Sequence, residues 1–375
     1  MRKIGLFSFH KDPNYGTMYQ AYALAKAIQK LGHNAEYIRY EAIPYRSPIK
    51  AAIMNLVKSI SENLGLRHGP KSEYSFLRSK EFRKLKNGYK RFHHTYIPVS
   101  KSIYYKDTIQ QVENKYDCFI IGSDQTWSSY CNTNPNTPFF LSFIQNNKKK
   151  CSYAPSIGST HNTEEYKLRL KSELSSFDRL SCRENQNAQM LSKLIGKKVE
   201  YVLDPTLLLS PDEWQVLEEP VSMPASYVLC YILGTKACIS DYAEKLGEQK
   251  GLPVYYMVTR PEYIRRTNAL KDICPEQFLW LLHHATYIVT DSFHGSMFGI
   301  NFKKDFFSFA KRETTDITGV DNDRILDFLR YFNIEDRFIN DGESRIPTKM
   351  DYSVIEAQLS SMRSSSYEYL KEITN

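Results

Sequence analysis

The chain has 375 residues, of which 42% are hydrophobic and 25% charged. This is the balance of a globular protein large enough for two cores, and it excludes disordered and collagen-like classes. The net charge of +8 is concentrated between Arg67 and Lys115, where twelve Lys or Arg stand against four Asp or Glu. Such a stretch fits a solvated face, an anionic membrane surface or a diphosphate-bearing substrate. Neither zinc-finger spacing nor an RNP-type motif occurs, so nucleic acid is not an expected partner.

The seven cysteines are odd in number and widely spaced, without a CxxC pair. They read as reduced core residues rather than as a disulfide framework or a zinc site. The segment Met1 to Phe9 lacks the apolar region of a signal peptide. No apolar run approaches the roughly 18–20 residues that span a bilayer. A cytoplasmic protein is expected, with peripheral contact at the inner face of the plasma membrane left open. The 27 Tyr and 20 Phe read mainly as packing, with a minority available to line a cleft.

Taken in chain order, Ile4–Phe9 reads as a strand. A polar turn with Pro13, Asn14 and Gly16 follows. A helix then places Ala21, Leu24, Ile28 and Leu31 near the 3.6 period and stops at Gly32. Ala35–Tyr40 is the next strand, the usual start of a doubly wound α/β domain. Residues 41–115 read as a basic insertion. Within it Ile53, Leu56, Val57, Ile60 and Leu64 form one stripe over Ala51 to Leu64. That stripe predicts a helix that packs on the domain or lies at a membrane interface.

The alternation resumes with strands at Asp117–Ile121, Cys151–Ala154, Arg179–Cys182 and Val199–Leu203, the last stopped by Asp204-Pro205-Thr206. Three prolines between Pro211 and Pro224 mark a junction. Beyond it come strands at Tyr227–Leu233, Val254–Val258, Tyr287–Thr290 and Asp305–Phe309. Helices are expected at Pro275–Leu282, from Ser296 to Ile300, and at Ser353–Ile373. The expectation is two α/β domains with a cleft between them: residues 1–210, residues 211–345, and a C-terminal helix over 346–375.

Three polar, glycine-bearing turns follow predicted strands, and in open α/β sheets ligands bind at the carboxyl ends of strands. The first is Asn14-Tyr15-Gly16-Thr17. The second is Gly122-Ser123-Asp124-Gln125-Thr126-Trp127. Asp124 and Gln125 there offer acceptor oxygens to sugar hydroxyls, Trp127 a stacking face, and Asp124 a base for an attacking hydroxyl. The third is Thr290-Asp291-Ser292-Phe293-His294-Gly295-Ser296. It sets a proton-carrying imidazole beside the N–H groups of a helix start, an arrangement suited to an anionic substrate. There is no GxxxxGK[ST] loop, no HExxH, no GxGxxG after the first strand and no GxSxG elbow. Kinase, zinc-protease, dinucleotide-binding and serine-hydrolase readings therefore lack support.

Together with Ser152–Gly158, Ser181-Cys182-Arg183-Glu184, Asp204–Leu208 and Asn322–Leu326, these stretches run in an order that resembles the polysaccharide pyruvyl transferase family over roughly residues 4 to 330. The resemblance implies a GT-B-like fold, two Rossmann-like domains facing a central cleft. It implies transfer of the pyruvyl unit of phosphoenolpyruvate, a donor substrate rather than a cofactor, onto two hydroxyls of a sugar as a cyclic ketal. The product would belong to capsule, exopolysaccharide or cell-wall glycan synthesis, with a lipid-linked or nucleotide-linked acceptor. No metal is required by the reaction so drawn.

Carried onto this chain, the resemblance makes His294 the acid for C3 and Asp124 the base. It makes Arg183 a clamp on the donor's anionic groups. Asn14, Tyr15, Gly16, Ser123, Gln125, Trp127, Ser292, Gly295 and Ser296 become substrate contacts. One position departs from the family pattern: Ser292 stands where members often carry an arginine before Leu-His-Gly. Either Arg183, Lys236, Arg260, Lys311 or Arg312 takes over that charge, or the donor differs. The alternatives are a glycosyltransferase using a nucleotide sugar and a non-catalytic member of a glycan-assembly complex.

Overall fold

The computed structural model describes residues 1–41, 80–129, 131–132, 137–145, 147–158, 162–311 and 323–375. The stripe from Ala51 to Leu64 lies outside the described residues, as does Arg312.

The first sheet is built from β1 (Lys3–Phe7), β2 (Asn34–Tyr40), β3 (Val99–Tyr104), β4 (Cys118–Ile121) and β5 (Lys149–Ser152), parallel in the order β3-β2-β1-β4-β5. Its centre has both faces covered. Hence β4 is an unbroken buried run, Cys-Phe-Ile-Ile, rather than an alternating one. Helix α1 (Tyr15–Lys30) follows β1, capped by Asn14, whose side chain accepts from the Thr17 N–H at 3.2 Å. It ends at Leu31, and Gly32 adopts φ 83°.

Helix α2 (Lys80–Tyr96) leads into β3, which pairs with β2 at the sheet edge. The region read as an insertion thus contains a strand of the first sheet. Val99–Tyr104 escapes a hydrophobic reading because Lys101, Ser102 and Ile103 are exposed on an edge strand. Helix α3 (Glu164–Leu174), β6 (Leu180–Cys182), α4 (Asn185–Ile195) and β7 (Val199–Tyr201) extend this half. β6 and β7 pair in parallel and join β5 through the Cys151–Arg179 bridge.

After the short helix α5 (Pro211–Gln215) the second sheet begins. Its strands are β8 (Val228–Tyr231), β9 (Val254–Met257), β10 (Ala269–Leu270), β11 (Tyr287–Thr290), β12 (Asp305–Phe309) and β13 (Phe338–Ile339). They are parallel in the order β10-β9-β8-β11-β12-β13. The helices around them are α6 (Ala237–Lys250), α7 (Pro275–His284), α8 (Phe293–Asn301) and α9 (Asp323–Tyr331). In each sheet the strand order reverses beside the first strand, between β1 and β4 and between β8 and β11. Those are the switch points at which open α/β sheets bind ligands.

One continuous cluster of buried side chains runs between the sheets. Tyr15 and Tyr19 of α1 carry it across. Tyr15 donates its hydroxyl to the Ile273 carbonyl at 2.7 Å, and Tyr19 to that of Pro275 at 2.6 Å. The Tyr15 ring lies 4.3 Å from Phe278. The last helix, α10 (Tyr352–Thr374), returns to the first sheet, where the Tyr369 hydroxyl donates to Ser152 O at 3.0 Å. All cysteines among the described residues are free, and no described helix is long and apolar enough to cross a membrane.

Candidate active site

The carboxyl ends of both sheets meet at a polar cavity of about 110 Å³. The first half contributes Asn14 and Thr17 from the start of α1, and Asp124 and Gln125 from the turn after β4. The second contributes Leu233, the run Asp291 to His294, Lys311, Arg324 and Ile325.

The turn after β4 holds Asp124 at φ 75°, a left-handed conformation that aspartate tolerates better than most residues. Its carbonyl accepts from the Thr126 and Ser156 N–H groups, each at 2.8 Å. Its carboxylate accepts from the Gln125 N–H at 2.9 Å and from the Thr17 hydroxyl at 3.1 Å. With the Gln125 amide oriented oxygen-first, both terminal nitrogens of Arg324 donate to it at 2.9 and 2.8 Å. That contact joins the two halves across the cavity.

On the other wall, α8 begins where the sequence places His294. Ser292 is the N-cap: its hydroxyl accepts from the Gly295 N–H at 3.3 Å, and its carbonyl from Ser296. A Cβ on Gly295 would stand 2.7 Å from Thr290 Oγ1. Ser296 Oγ meets Ser308 Oγ at 2.7 Å. Gly295 and Ser296 are buried and do not line the cavity; they fix the helix against β11 and β12. Ser292 lines the cavity, with its side chain engaged in the cap.

His294 projects against the first half. A Cβ on Gly16 would lie 2.1 Å from its Nδ1, so the backbone of α1 presses on the imidazole and only glycine fits. Its Nε2 is buried without a hydrogen-bond partner and sits 3.7 Å from Asp204 Oδ2. Asp204 is fully enclosed. It accepts from Arg183 Nη1 at 2.8 Å, from Ser123 Oγ at 3.0 Å, and from the Thr206 N–H and hydroxyl at 3.0 and 2.8 Å. Burial pushes the Asp204 carboxyl up. His294, Arg183 and the Thr206 N–H outweigh it and hold the group well below the usual carboxylate range.

Arg183 is not at the cavity wall. Its side chain is 0% exposed and ion-paired to Asp204 at 2.8 Å, Glu184 at 3.2 Å and Asp124 at 3.5 Å. The guanidinium also lies 4.6 Å from the centre of the Phe293 ring. Burial works against its charge, but Asp204, Glu184 and Asp124 raise its pKa further. Its position therefore differs from that of a donor clamp: it holds the carboxylates behind the cavity.

Trp127 likewise packs inside the first half, fully buried, with its indole N–H donating to Phe139 O at 2.9 Å. It has no face left for a sugar. Tyr15 and Ser123 are buried too, the first between the sheets and the second under Asp204.

Of the cations considered for the missing arginine, Lys311 lines the cavity. Lys236 pairs with Asp341 at 2.5 Å, and Arg260 reaches the Leu233 carbonyl at 3.5 Å. Arg324 was not among them, although it lies in the Asn322–Leu326 stretch; that stretch was its sequence signal. Asp204, expected as a strand stop and as the start of the Asp204–Leu208 stretch, proves to be the carboxylate beside His294. Asp291 accepts from the Leu233 and Gly234 N–H groups at 2.7 Å each, so it holds the turn after β8. Away from the cavity, Glu219, Cys274 and Glu276 form a group of metal-ligand type, but Arg91 already lies 3.0 Å from Glu219 and 3.4 Å from Glu276.

Fold and site define an α/β protein with two Rossmann-type sheets and a cleft-bound histidine, a GT-B-like architecture. UDP-GlcNAc 2-epimerase from Methanocaldococcus jannaschii is similar over 96% of this chain and 91% of its own, with TM-score 0.53 and 10% identity. The enzyme of the same name from Neisseria meningitidis, bound to UDP-GlcNAc, aligns over 100% and 94% with TM-score 0.48 and 12% identity. No curated protein matches the chain. The model of the family described as polysaccharide pyruvyl transferase matches residues 14–311. The chain belongs to that family, and is thus a transferase of polysaccharide modification.

Proposed function

We propose that the chain transfers the pyruvyl unit of phosphoenolpyruvate to two hydroxyls of a sugar, closing a cyclic ketal. The observation that carries this reading is the placement of His294, whose buried Nε2 lies 3.7 Å from Asp204 Oδ2 without a hydrogen bond, at the edge of a cavity that Lys311 and Arg324 also line. His294, Lys311 and Arg324 all line that cavity, and the Asp204 carboxylate stands beside the imidazole.

In the proposed reaction His294 gives its proton to C3 of phosphoenolpyruvate, which leaves C2 electrophilic. A sugar hydroxyl then bonds to C2 and loses its proton to Asp124. The C2–O bond to phosphate breaks, phosphate leaving with the proton taken by Asp124, and the second hydroxyl closes the ring and returns its proton to His294. Carboxylate and phosphate of the donor are assigned to Lys311 and Arg324, whose planar fork suits either group. Arg324 thereby supplies, from α9, the charge absent at Ser292. Asp204 is a positioning residue that holds the imidazolium.

A nucleotide-sugar reading would need a carboxylate of the second half free to grip a ribose. Asp291, the carboxylate of that wall, is occupied by two backbone N–H groups. The test is incubation with phosphoenolpyruvate and glycan acceptors, scoring acid-labile pyruvate on the sugar. Wild type is expected to form it, and His294→Ala to lose roughly 10²–10⁴-fold in rate. Full activity in that variant would sink the mechanism.

A further inference from the structure

The loop between β1 and α1 separates the candidate active site from a second, larger cavity. Asn14 and Thr17 line the first, whereas Lys11 and Pro13 line a groove of about 280 Å³. Around that groove stand Lys11, Arg39, Lys86, Lys90, His93 and His94, against a single carboxylate among the described residues, Glu41. Lys11 pairs with Glu41 at 2.6 Å. The guanidinium of Arg39 and the ammonium groups of Lys86 and Lys90 have no hydrogen-bond or ion-pair partner among the described residues.

Lys86, Lys90 and His94 succeed one another at i, i+4 and i+8 along one face of α2. Two lysines at the i, i+4 spacing destabilise a helix. Elsewhere on the same helix the protein neutralises its cations: Lys84 meets Asp272 at 2.9 Å, and Arg91 meets Glu219 and Glu276 at 3.0 and 3.4 Å. Among the described residues, the groove-side cations Arg39, Lys86 and Lys90 are left without a carboxylate partner. His10 lies in the same wall, stacked on Tyr37 and 3.0 Å from His93 Nε2. Burial, with His93 beside it, pushes its pKa down to about 3, so the lysines and Arg39 carry the charge. On the other side of His10 and Lys11 a third cavity has an aromatic wall of Phe9, Tyr40 and Phe139.

A neutral sugar gives no reason for such a cluster, and the donor's anionic groups are assigned to the first cavity. Several point charges and one guanidinium around a compact space suit a multiply charged phosphate. We propose that this groove holds the diphosphate through which the acceptor sugar is carried, with the sugar reaching over the β1–α1 loop to Asp124 and the carrier lying along the aromatic wall. The assignment rests on the transferase reading above. Nucleotide-linked and lipid-linked sugars share this chemistry.

The test is calorimetric titration of the full chain with inorganic pyrophosphate. Binding is expected to weaken by on the order of tenfold or more in Lys86→Glu/Lys90→Glu. It should persist in Lys86→Arg/Lys90→Arg and in Lys198→Glu, a control outside the groove lining. Lys86 and Lys90 are exposed, so a melting curve close to wild type is expected for the double variants. Competition identifies the carrier. Displacement of pyrophosphate at lower concentration by uridine diphosphate indicates a nucleotide, and by farnesyl diphosphate a lipid; either supports the site. Absence of pyrophosphate binding, or binding indifferent to the Lys86→Glu/Lys90→Glu change, overturns it. Phosphoenolpyruvate binding by the wild-type chain is measured separately: its failure removes the donor reading and leaves the groove standing.

Discussion

The two walls of the cavity are built on opposite plans. The first-half wall rests on buried charge: Arg183 with Asp124, Glu184 and Asp204 around it, and a backbone turn held at positive φ. The second-half wall at α8 rests on hydrogen bonds, a run of Thr290, Ser292, Ser296 and Ser308 hydroxyls that fix a helix end. From the start of α8, His294 crosses to the first half and docks on its buried carboxylate cluster. The lesson is a division of labour: the second half aims the imidazole, and the first receives it beside a buried carboxylate.

The sharpest way to break that division is at Asp204. Asp204→Asn removes a charge from a buried ion pair, and the fold should lose roughly 3–5 kcal/mol in denaturant melts. The folded carboxyl is depressed, so its contribution is present above the ordinary aspartate value, about 3.9, and is lost as pH falls below it. Wild-type stability should therefore decline below about pH 4 more steeply than that of the variant. Identical acid limbs would show that Asp204 does not carry the cluster.

Gly16→Ala tests the contact between the walls. The new Cβ would strike His294 Nδ1, while alanine suits a helix interior. The expected result is a folded protein whose kcat falls about 100-fold from a displaced imidazole. An unchanged kcat would mean that His294 is not positioned by α1. Arg324→Ala should raise KM for phosphoenolpyruvate about tenfold, and lysine should rescue it poorly because it cannot fork to Gln125 and the donor together. The smallest effect belongs to the hydrogen-bonded wall: Ser292→Ala should cost about 1 kcal/mol of stability through the lost cap, with donor KM unchanged. A large rise in KM would instead make Ser292 a ligand.

The same contrast governs what could be read from the sequence. Strands such as Cys118–Ile121 and Tyr287–Thr290 are covered on both faces, so they stand out as continuous apolar runs. Val99–Tyr104 exposes Lys101, Ser102 and Ile103 in succession on a sheet edge and merges with the basic stretch around it. In the site, Asn14, Gly16, Asp124, Gln125, Ser292 and His294 do converge, because each lies in a turn directly after a central strand or at a helix start. Arg183, Trp127 and Tyr15 carry the residue types of a binding site but face inward. Burial is decided by what packs across from them, which local sequence does not contain. The partnerships of Asp204 with His294 and of Gln125 with Arg324 join distant segments and follow only from the placement of one sheet against the other.

The central claim is that His294 protonates C3 of the donor. It is tested most directly by running the transfer in deuterium oxide and reading the sugar product by mass spectrometry. The account predicts a ketal whose methyl group carries one solvent deuterium, formed by wild type and lost with His294→Ala. An enolpyruvyl ether without solvent hydrogen, or deuterated ketal made at the full rate by His294→Ala, would contradict it.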